Sequence, residues 1–115
     1  MGEVRIKRVY EPPSREDGYR VLVDRLWPRG LSKADAGLDL WLKDVAPSTE
    51  LREWFHHDPT RDAEFTARYR AELDGNPAME TLREVAREHP VITLLYAARD
   101  TQANQAVVLR DELSA

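Results

Sequence analysis

The run Val91–Tyr96 constrains the fold more than any other part of the sequence. All six of its residues are β-branched or apolar, with no alternation between polar and apolar positions. A strand of this kind is covered on both faces, which is typical of the centre of a parallel sheet. Residues 20–23 form a shorter run that is apolar after its first residue, so we expect a second central strand there.

Helical segments separate most of the strands along the chain. Alternating residues at 3–10 predict a first strand, and those at 38–43 predict a third. Capping residues and prolines predict helices at 33–36, 48–55, 59–73 and 77–89, with a last helix that Asp100 or Thr101 caps. Strands separated by helices predict an α/β fold. We expect one three-layer α/β/α domain over residues 1–115, with a largely parallel, Rossmann-like sheet of about four strands.

Length and composition exclude several classes of protein. The 115 residues fit one domain. The absence of cysteine excludes disulfides, thiolate metal sites and cysteine nucleophiles. No run approaches the roughly 20 apolar residues of a membrane span, and the N-terminus lacks the apolar core of a secretory signal. We therefore expect a cytoplasmic protein without a membrane partner.

The charge is distributed unevenly along the sequence. Residues 1–33 contain eight Lys or Arg and five Asp or Glu, a net charge of +3, whereas the remainder contains nine and sixteen, a net charge of −7. The total of −4 argues against general nucleic-acid binding. The basic first third could focus a small anion, or it could be ordinary scatter of surface charge.

Polar and aromatic side chains follow each predicted strand. Open α/β sheets bind ligands beyond the carboxyl ends of their strands, and two parallel neighbours at 20–23 and Val91–Tyr96 would end side by side. The strand at 20–23 is followed by a polar loop, and Val91–Tyr96 is followed by a turn that leads into a helix. The predicted strand at 38–43 ends in a lysine. The predicted ligand-binding residues are Arg25, Trp27, Arg29, Lys43, Tyr96, Arg99 and Asn104.

Each of these residue types has a chemical and a structural interpretation. Arginine binds phosphate or carboxylate through paired hydrogen bonds, but Arg25 and Arg99 each adjoin an aspartate and could form structural ion pairs. Asp24 or Asp100 could act as a general base, or could fix an arginine. Trp27 could stack a flat ring or could belong to the core. Tyr96 could equally hydrogen-bond within the fold, and Asn104 could be a local cap partner.

The sequence His56-His57-Asp58 is a second candidate. His57 could transfer protons as a catalytic acid or base. Asp58 before Pro59 is a helix cap, and adjacent histidines on a helix point about 100° apart, so we predict no metal site. Phosphate-binding glycine motifs and the nucleophile elbow are absent, and no cofactor is predicted.

Five sequence blocks resemble the YeaO-like family, also called domain of unknown function 488. They are Asp24-Arg25-Leu26-Trp27-Pro28-Arg29-Gly30, Trp41-Leu42-Lys43-Asp44, Ala46-Pro47-Ser48-Thr49-Glu50-Leu51-Arg52, Leu94-Leu95-Tyr96-Ala97-Ala98, and Asn104 with Ala106-Val107-Val108-Leu109. The resemblance implies a small cytoplasmic α/β domain without an established reaction. Many relatives carry a histidine next to the asparagine that matches Asn104. This chain has Ala103 and Gln105 there, so a mechanism that uses that histidine lacks its proton carrier here.

Three functions follow from these observations. The first is a hydrolase or transferase that acts on a small phosphate- or nucleotide-like ligand, with Asp24, Asp100 or His57 moving protons. The second is a non-catalytic module that senses a small anion or docks a partner protein. The third, nucleic-acid binding through the basic first third, is the least favoured because of the net charge. The sequence is compatible with a monomer or a homodimer.

Overall fold

The computed structural model describes residues 2–56 and 58–114. Within these ranges the chain forms four strands: β1 (Glu3–Arg8), β2 (Tyr19–Leu22), β3 (Leu40–Trp41) and β4 (Val91–Tyr96). The α-helices are α1 (Lys33–Ala36), α2 (Thr49–Phe55), α3 (Asp62–Leu73), α4 (Pro77–Glu88) and α5 (Gln105–Ser114). One-turn 3-10 helices lie at Arg15–Asp17, Lys43–Val45 and Pro59–Arg61.

The strands form one parallel sheet in the order β1-β4-β2-β3. β4 pairs with β1 over its full length, from Glu3 opposite Val91 to Arg8 opposite Tyr96. On its other side β4 pairs with β2. The predicted α/β fold with a parallel four-stranded sheet is confirmed, and both apolar runs are central strands.

Alternate residues of the central strands face two apolar clusters. Val21 and Leu94 are fully buried in the larger cluster, which the buried side chains of α2 to α5 complete. Leu22 and Leu95 are buried in a smaller cluster, against side chains of the segment that joins β2 to β3. Successive side chains of a strand point to opposite faces, so the two clusters lie on opposite faces of the sheet. Four helices therefore cover one face, and a loop containing the single turn of α1 covers much of the other.

A buried ion pair fixes this loop to β2. The guanidinium group of Arg20 is almost fully buried and donates hydrogen bonds to the carboxylate of Asp17 and, at 2.8 Å, to the carbonyl oxygen of Ala36. Lys7 approaches the same carboxylate at 3.1 Å. Burial opposes ionisation of Asp17, but the backbone N–H of Ser14, Lys7 and Arg20 together hold its pKa below the usual value. The end of α1 is thereby tied to the sheet.

Several element boundaries differ from the sequence prediction. The first strand ends at Arg8 rather than at residue 10, and the helix predicted at 59–73 begins with a 3-10 turn at Pro59–Arg61 before α3. The strand predicted at 38–43 is confined to Leu40–Trp41, because the backbone turns into a 3-10 helix at Lys43. The last helix begins at Gln105 rather than after Asp100 or Thr101. None of the helices in residues 2–56 and 58–114 has the length and apolar character of a membrane span.

The later start of α5 has a local cause. The carboxylate of Asp100 accepts hydrogen bonds from the backbone N–H groups of Gln102 and Ala103, both at 2.9 Å, and so closes a separate turn. The side-chain oxygen of Asn104 then accepts from the backbone N–H of Val107 at 3.1 Å. Asn104 therefore caps the helix, which the sequence interpretation assigned to residues 100 or 101.

Candidate functional site

The carboxyl ends of β2 and β4 lie side by side, which is the arrangement that the predicted site requires. After β2 the chain continues over the smaller apolar cluster, whereas after β4 it continues to α5, whose buried residues belong to the larger one. The two connections thus leave the sheet on opposite faces. In open α/β sheets such a divergence creates a crevice between the strand ends, and ligands bind there.

Asp24 is the first polar residue beyond β2 and connects the elements around the crevice. Its carboxylate accepts a hydrogen bond from the backbone N–H of Ala97, just after β4, at 2.9 Å. It also accepts one from the side-chain amide of Gln105, at the start of α5. The backbone carbonyl of Asp24 accepts from the indole N–H of Trp41, in β3, at 2.7 Å. Asp24 therefore contacts residues from the ends of both neighbouring strands and from α5.

The surroundings of Asp24 change its acidity. Burial raises the pKa of its carboxyl from 3.8 to about 6, since the charged form loses hydration. The N–H of Ala97, the positive charge of Arg52 and the amide of Gln105 act in the opposite direction, but burial has the larger effect. Near neutral pH this carboxyl exists in both protonation states, a property common among functional groups in clefts.

A cavity of about 410 Å³ occupies the crevice. Ligand sites typically measure about 300–1,000 Å³. The cavity brings together five residues that the sequence predicts for the site: Asp24, Arg25, Trp27, Arg29 and Arg99. Lys43, Tyr96, Asp100 and Asn104 are not among its lining residues.

Arginines dominate the charge of the cavity. Four of them line it, and Asp24 is the single acidic residue among the described lining residues. Arg25 is anchored, because its guanidinium donates to the carbonyl oxygens of Ala46 at 3.1 Å and Pro47 at 3.4 Å. The side chains of the other three make no ion-pair contact or hydrogen bond with the described part of the chain. These three are Arg29, Arg52 and Arg99.

Two lining residues that the sequence interpretation missed are Arg52 and Gln105. Arg52 lies on α2, which follows β3 and therefore starts near the same edge of the sheet. The position of α2 directly after β3 was the sequence feature that could have indicated Arg52. Gln105 reaches Asp24 across 81 positions of sequence, and no local pattern indicates this contact.

Trp27 has both structural and lining roles. Its indole N–H donates to the carbonyl oxygen of Leu31 at 2.6 Å, and its ring packs edge-on against Trp41 with centroids 5.4 Å apart. It also packs against the smaller apolar cluster, yet one surface lines the cavity. The amino group of Lys43 lies 5.4 Å from the centroid of the Trp41 ring. Lys43 is therefore placed beside the aromatic pair and not in the cavity.

Tyr96 and Asn104 belong to the framework behind the cavity. Both are almost fully buried. The side-chain amide of Asn104 donates to the carbonyl oxygen of Asp100 at 2.8 Å. Burial raises the pKa of Tyr96, while a hydrogen bond with Asn104 acts in the opposite direction. These contacts hold the turn from β4 to α5, which in turn positions Arg99 and Gln105.

The second predicted region is only partly described. His57 lies outside the described residues, so its predicted acid–base role stays a prediction. Asp58 accepts from the backbone N–H of Thr60 at 3.0 Å, as expected of a cap. No group of three or more His, Asp or Glu side chains within residues 2–56 and 58–114 is arranged to hold a metal ion.

Comparison with known proteins gives consistent matches. The sequence model of the inactive DUF488-N3 subclade matches residues 3–115. The chain is 48% identical over 111 residues to the uncharacterized protein YeaO of Escherichia coli, with 96% of both chains covered. It is 47% identical over 111 residues to the uncharacterized protein Rv3073c of Mycobacterium tuberculosis, covering 96% of this chain and 93% of the relative. No solved structure matches the sequence significantly.

Proposed function

The chain belongs to the YeaO-like DUF488 family, in its inactive DUF488-N3 subclade, and we propose that it binds a small phosphate-type anion without transforming it. One observation carries the proposal. Among the described residues that line the cavity, four arginines face one aspartate, in a protein whose net charge is −4. A positive cavity in a negative protein is suited to an anionic ligand.

The arginines are well suited to a phosphate group. Guanidinium groups bind phosphate oxygens through two parallel hydrogen bonds, and they are less strongly hydrated than ammonium groups. Arg29 and Arg99 are exposed at the mouth, whereas Arg52 is partly buried. With no carboxylate in contact, their donors are available to a ligand. Arg25, held by two backbone carbonyls, supports the wall and adds its charge.

The composition of the cavity favours binding over catalysis. The described lining residues include no serine, threonine, cysteine, lysine or histidine, the usual nucleophiles and proton carriers. The phenol of Tyr10 is engaged, donating to the carbonyl oxygen of Arg29 at 2.9 Å. Gln105 contacts Asp24, and its amide does not titrate. These features agree with the word "inactive" in the description of the matched subclade.

A hydrolase or transferase is the second candidate, and Asp24 is the observation that favours it. A carboxyl with a pKa of about 6 in a ligand-sized cavity has the properties of a general base. Such an enzyme would convert a bound phosphate ester, and Asp24→Asn would abolish the conversion. Prolonged incubation with a panel of nucleotides and sugar phosphates, followed by mass spectrometry, separates the two candidates. Unchanged ligands support a binding module, and conversion that requires Asp24 supports the enzyme.

A thermal-shift titration tests anion binding itself. Phosphate or sulfate at a hundred times the dissociation constant would stabilise the protein by about 2.7 kcal/mol, which raises Tm by roughly 10 °C for a domain of this size. The double variant Arg29→Ala/Arg99→Ala should lose most of this shift. Arg87→Ala removes one positive charge from the exposed surface of α4, away from the cavity, and should retain the shift. Equal shifts in all three proteins would contradict the proposal.

Location and assembly are also proposals. We propose a cytoplasmic location, with which the absence of cysteine agrees. For the assembly we propose a monomer or a homodimer. Size-exclusion chromatography with light scattering gives the assembly directly. A mass above that of two chains, each of 13.3 kDa, would contradict the proposed states.

A further inference from the structure

We infer that the ligand of this cavity is a nucleoside monophosphate, bound with its base inward against Phe55 and Phe65 and its phosphate outward at Arg29 and Arg99. This inference rests on the proposed anion site and specifies what else the ligand carries. It follows from the way the cavity changes in character from its buried end to its mouth.

The buried end of the cavity is aromatic and apolar. Phe55 and Phe65 are no more than 2% exposed, and their rings stack with centroids 4.1 Å apart, yet both line the cavity. Ala46 and Pro47 are also buried and line the same cavity. Contact with such walls does not favour the binding of inorganic phosphate, because burying a charged group against apolar surface costs free energy. A flat heterocyclic ring gains both apolar burial and aromatic contact.

Asp24 and Gln105 provide a polar edge near these aromatic walls. Both are partly buried and line the cavity. The amide nitrogen of Gln105 donates to the carboxylate of Asp24, and the backbone N–H of Ala97 donates to its other oxygen. The remaining lone pairs on Asp24 and the amide oxygen of Gln105 are acceptors. This edge matches a ring that carries N–H donors, as nucleobases do.

The mouth has the opposite character. Arg29 and Arg99 follow β2 and β4 respectively, so they approach the opening from two neighbouring strand ends. Both are exposed. A phosphate held between them stays partly hydrated, while the rest of the ligand fills the interior. The aromatic wall and the acceptor edge therefore suit the base, and the cationic mouth suits the phosphate at the other end of the ligand.

Calorimetry with fragments of the ligand tests this arrangement on the wild-type protein. The probes are the four ribonucleoside 5′-monophosphates, the four nucleosides and ribose 5-phosphate. We expect the best nucleotide to bind at least about tenfold more tightly than both ribose 5-phosphate and its own nucleoside, because it uses both ends of the cavity. If ribose 5-phosphate binds as tightly as every nucleotide, the inward base is wrong and the anion site stands. If none of these probes, phosphate or sulfate binds, the proposed function fails as well.

Variants at the two ends test the orientation. Arg99→Ala should weaken the nucleotide and ribose 5-phosphate by about tenfold or more, the usual effect of losing a charged hydrogen bond. It should leave the nucleoside within about twofold. Gln105→Leu should weaken the nucleotide and the nucleoside and leave ribose 5-phosphate unchanged. Arg87→Ala is the matched control, and circular dichroism establishes that each variant is folded. An Arg99→Ala effect on the nucleoside equal to that on the nucleotide would overturn the orientation.

Discussion

Replacing Asp24 by asparagine should stabilise the protein above pH 6 and change its stability little near pH 4. Folding raises the pKa of this carboxyl from 3.8 to about 6, so between these values the folded state binds more protons than the unfolded state. Stability therefore falls as pH rises through this window. At 1.36 kcal/mol per pH unit, the ionised carboxyl costs about 3 kcal/mol by pH 8 and less than about 1 kcal/mol at pH 4.

Asparagine removes this cost and keeps the geometry. Its side-chain oxygen accepts from Ala97 as before, and its amide donates to Gln105 once the amide of that residue is rotated. Urea denaturation followed by tryptophan fluorescence, at pH 4 and pH 8, gives the difference in unfolding free energy. Asp44→Asn, at an exposed aspartate outside the cavity, controls for the loss of one negative charge.

Two results would refute this reasoning. A stability difference between Asp24→Asn and wild type that is the same at pH 4 and pH 8 would mean that the carboxyl is not perturbed. A variant that is destabilised more at pH 8 than at pH 4 would mean that the positive charge of Arg52 outweighs burial. A carbon-13 NMR titration of the Asp24 carboxyl measures the same quantity directly and should have its midpoint near pH 6.

Three further predictions concern the fold and the anion. Arg20→Met should destabilise the protein by about 3 kcal/mol in urea denaturation, because it removes a buried partner of Asp17; no loss would mean that the ion pair is dispensable. Gly18→Ala should lower stability by at least about 2 kcal/mol more than Gly75→Ala, since both glycines have positive φ but only at Gly18 would a Cβ lie 2.2 Å from a backbone oxygen; equal losses would contradict this. Sulfate, whose charge is constant from pH 5 to 8, should bind about fivefold more weakly at pH 8 than at pH 5, from about 1 kcal/mol of repulsion by ionised Asp24. Calorimetry should show no such change in Asp24→Asn.

Local sequence signals predicted most of the helices and strands. They did not predict the order of the strands in the sheet. The apolar runs at β2 and β4 identified the central strands. Ser32 and Ser48, at the starts of α1 and α2, each accept a hydrogen bond from a backbone N–H. The insertion of β4 between β1 and β2 depends on packing between distant segments, so no window of sequence contains it. β3 ends at Trp41 because the chain turns into a 3-10 helix at Lys43, and the alternating residues at 38–43 do not indicate this turn.

The candidate site was predictable where it follows from strand exits. That rule placed Arg25, Trp27 and Arg29 on the same cavity as Arg99. It did not place residues on helices, whose rotation about their own axes is set by packing. Arg52 and Gln105 were missed for this reason, and the side chains of Tyr96 and Asn104 proved to be buried behind the cavity.

The strand order β1-β4-β2-β3 has a consequence for synthesis of the chain. β1 is complete after residue 8, but its pairing partner begins 88 positions after Glu3, at Val91. β2 also pairs with β4, and before β4 is synthesised its one available partner is β3, over two residues. Because such distant pairings form late, β1 and β2 lack their shared partner β4 until residues 91–96 have been synthesised. We therefore expect the sheet to assemble only after β4 is released, and the apolar segments of the nascent chain to stay exposed until then.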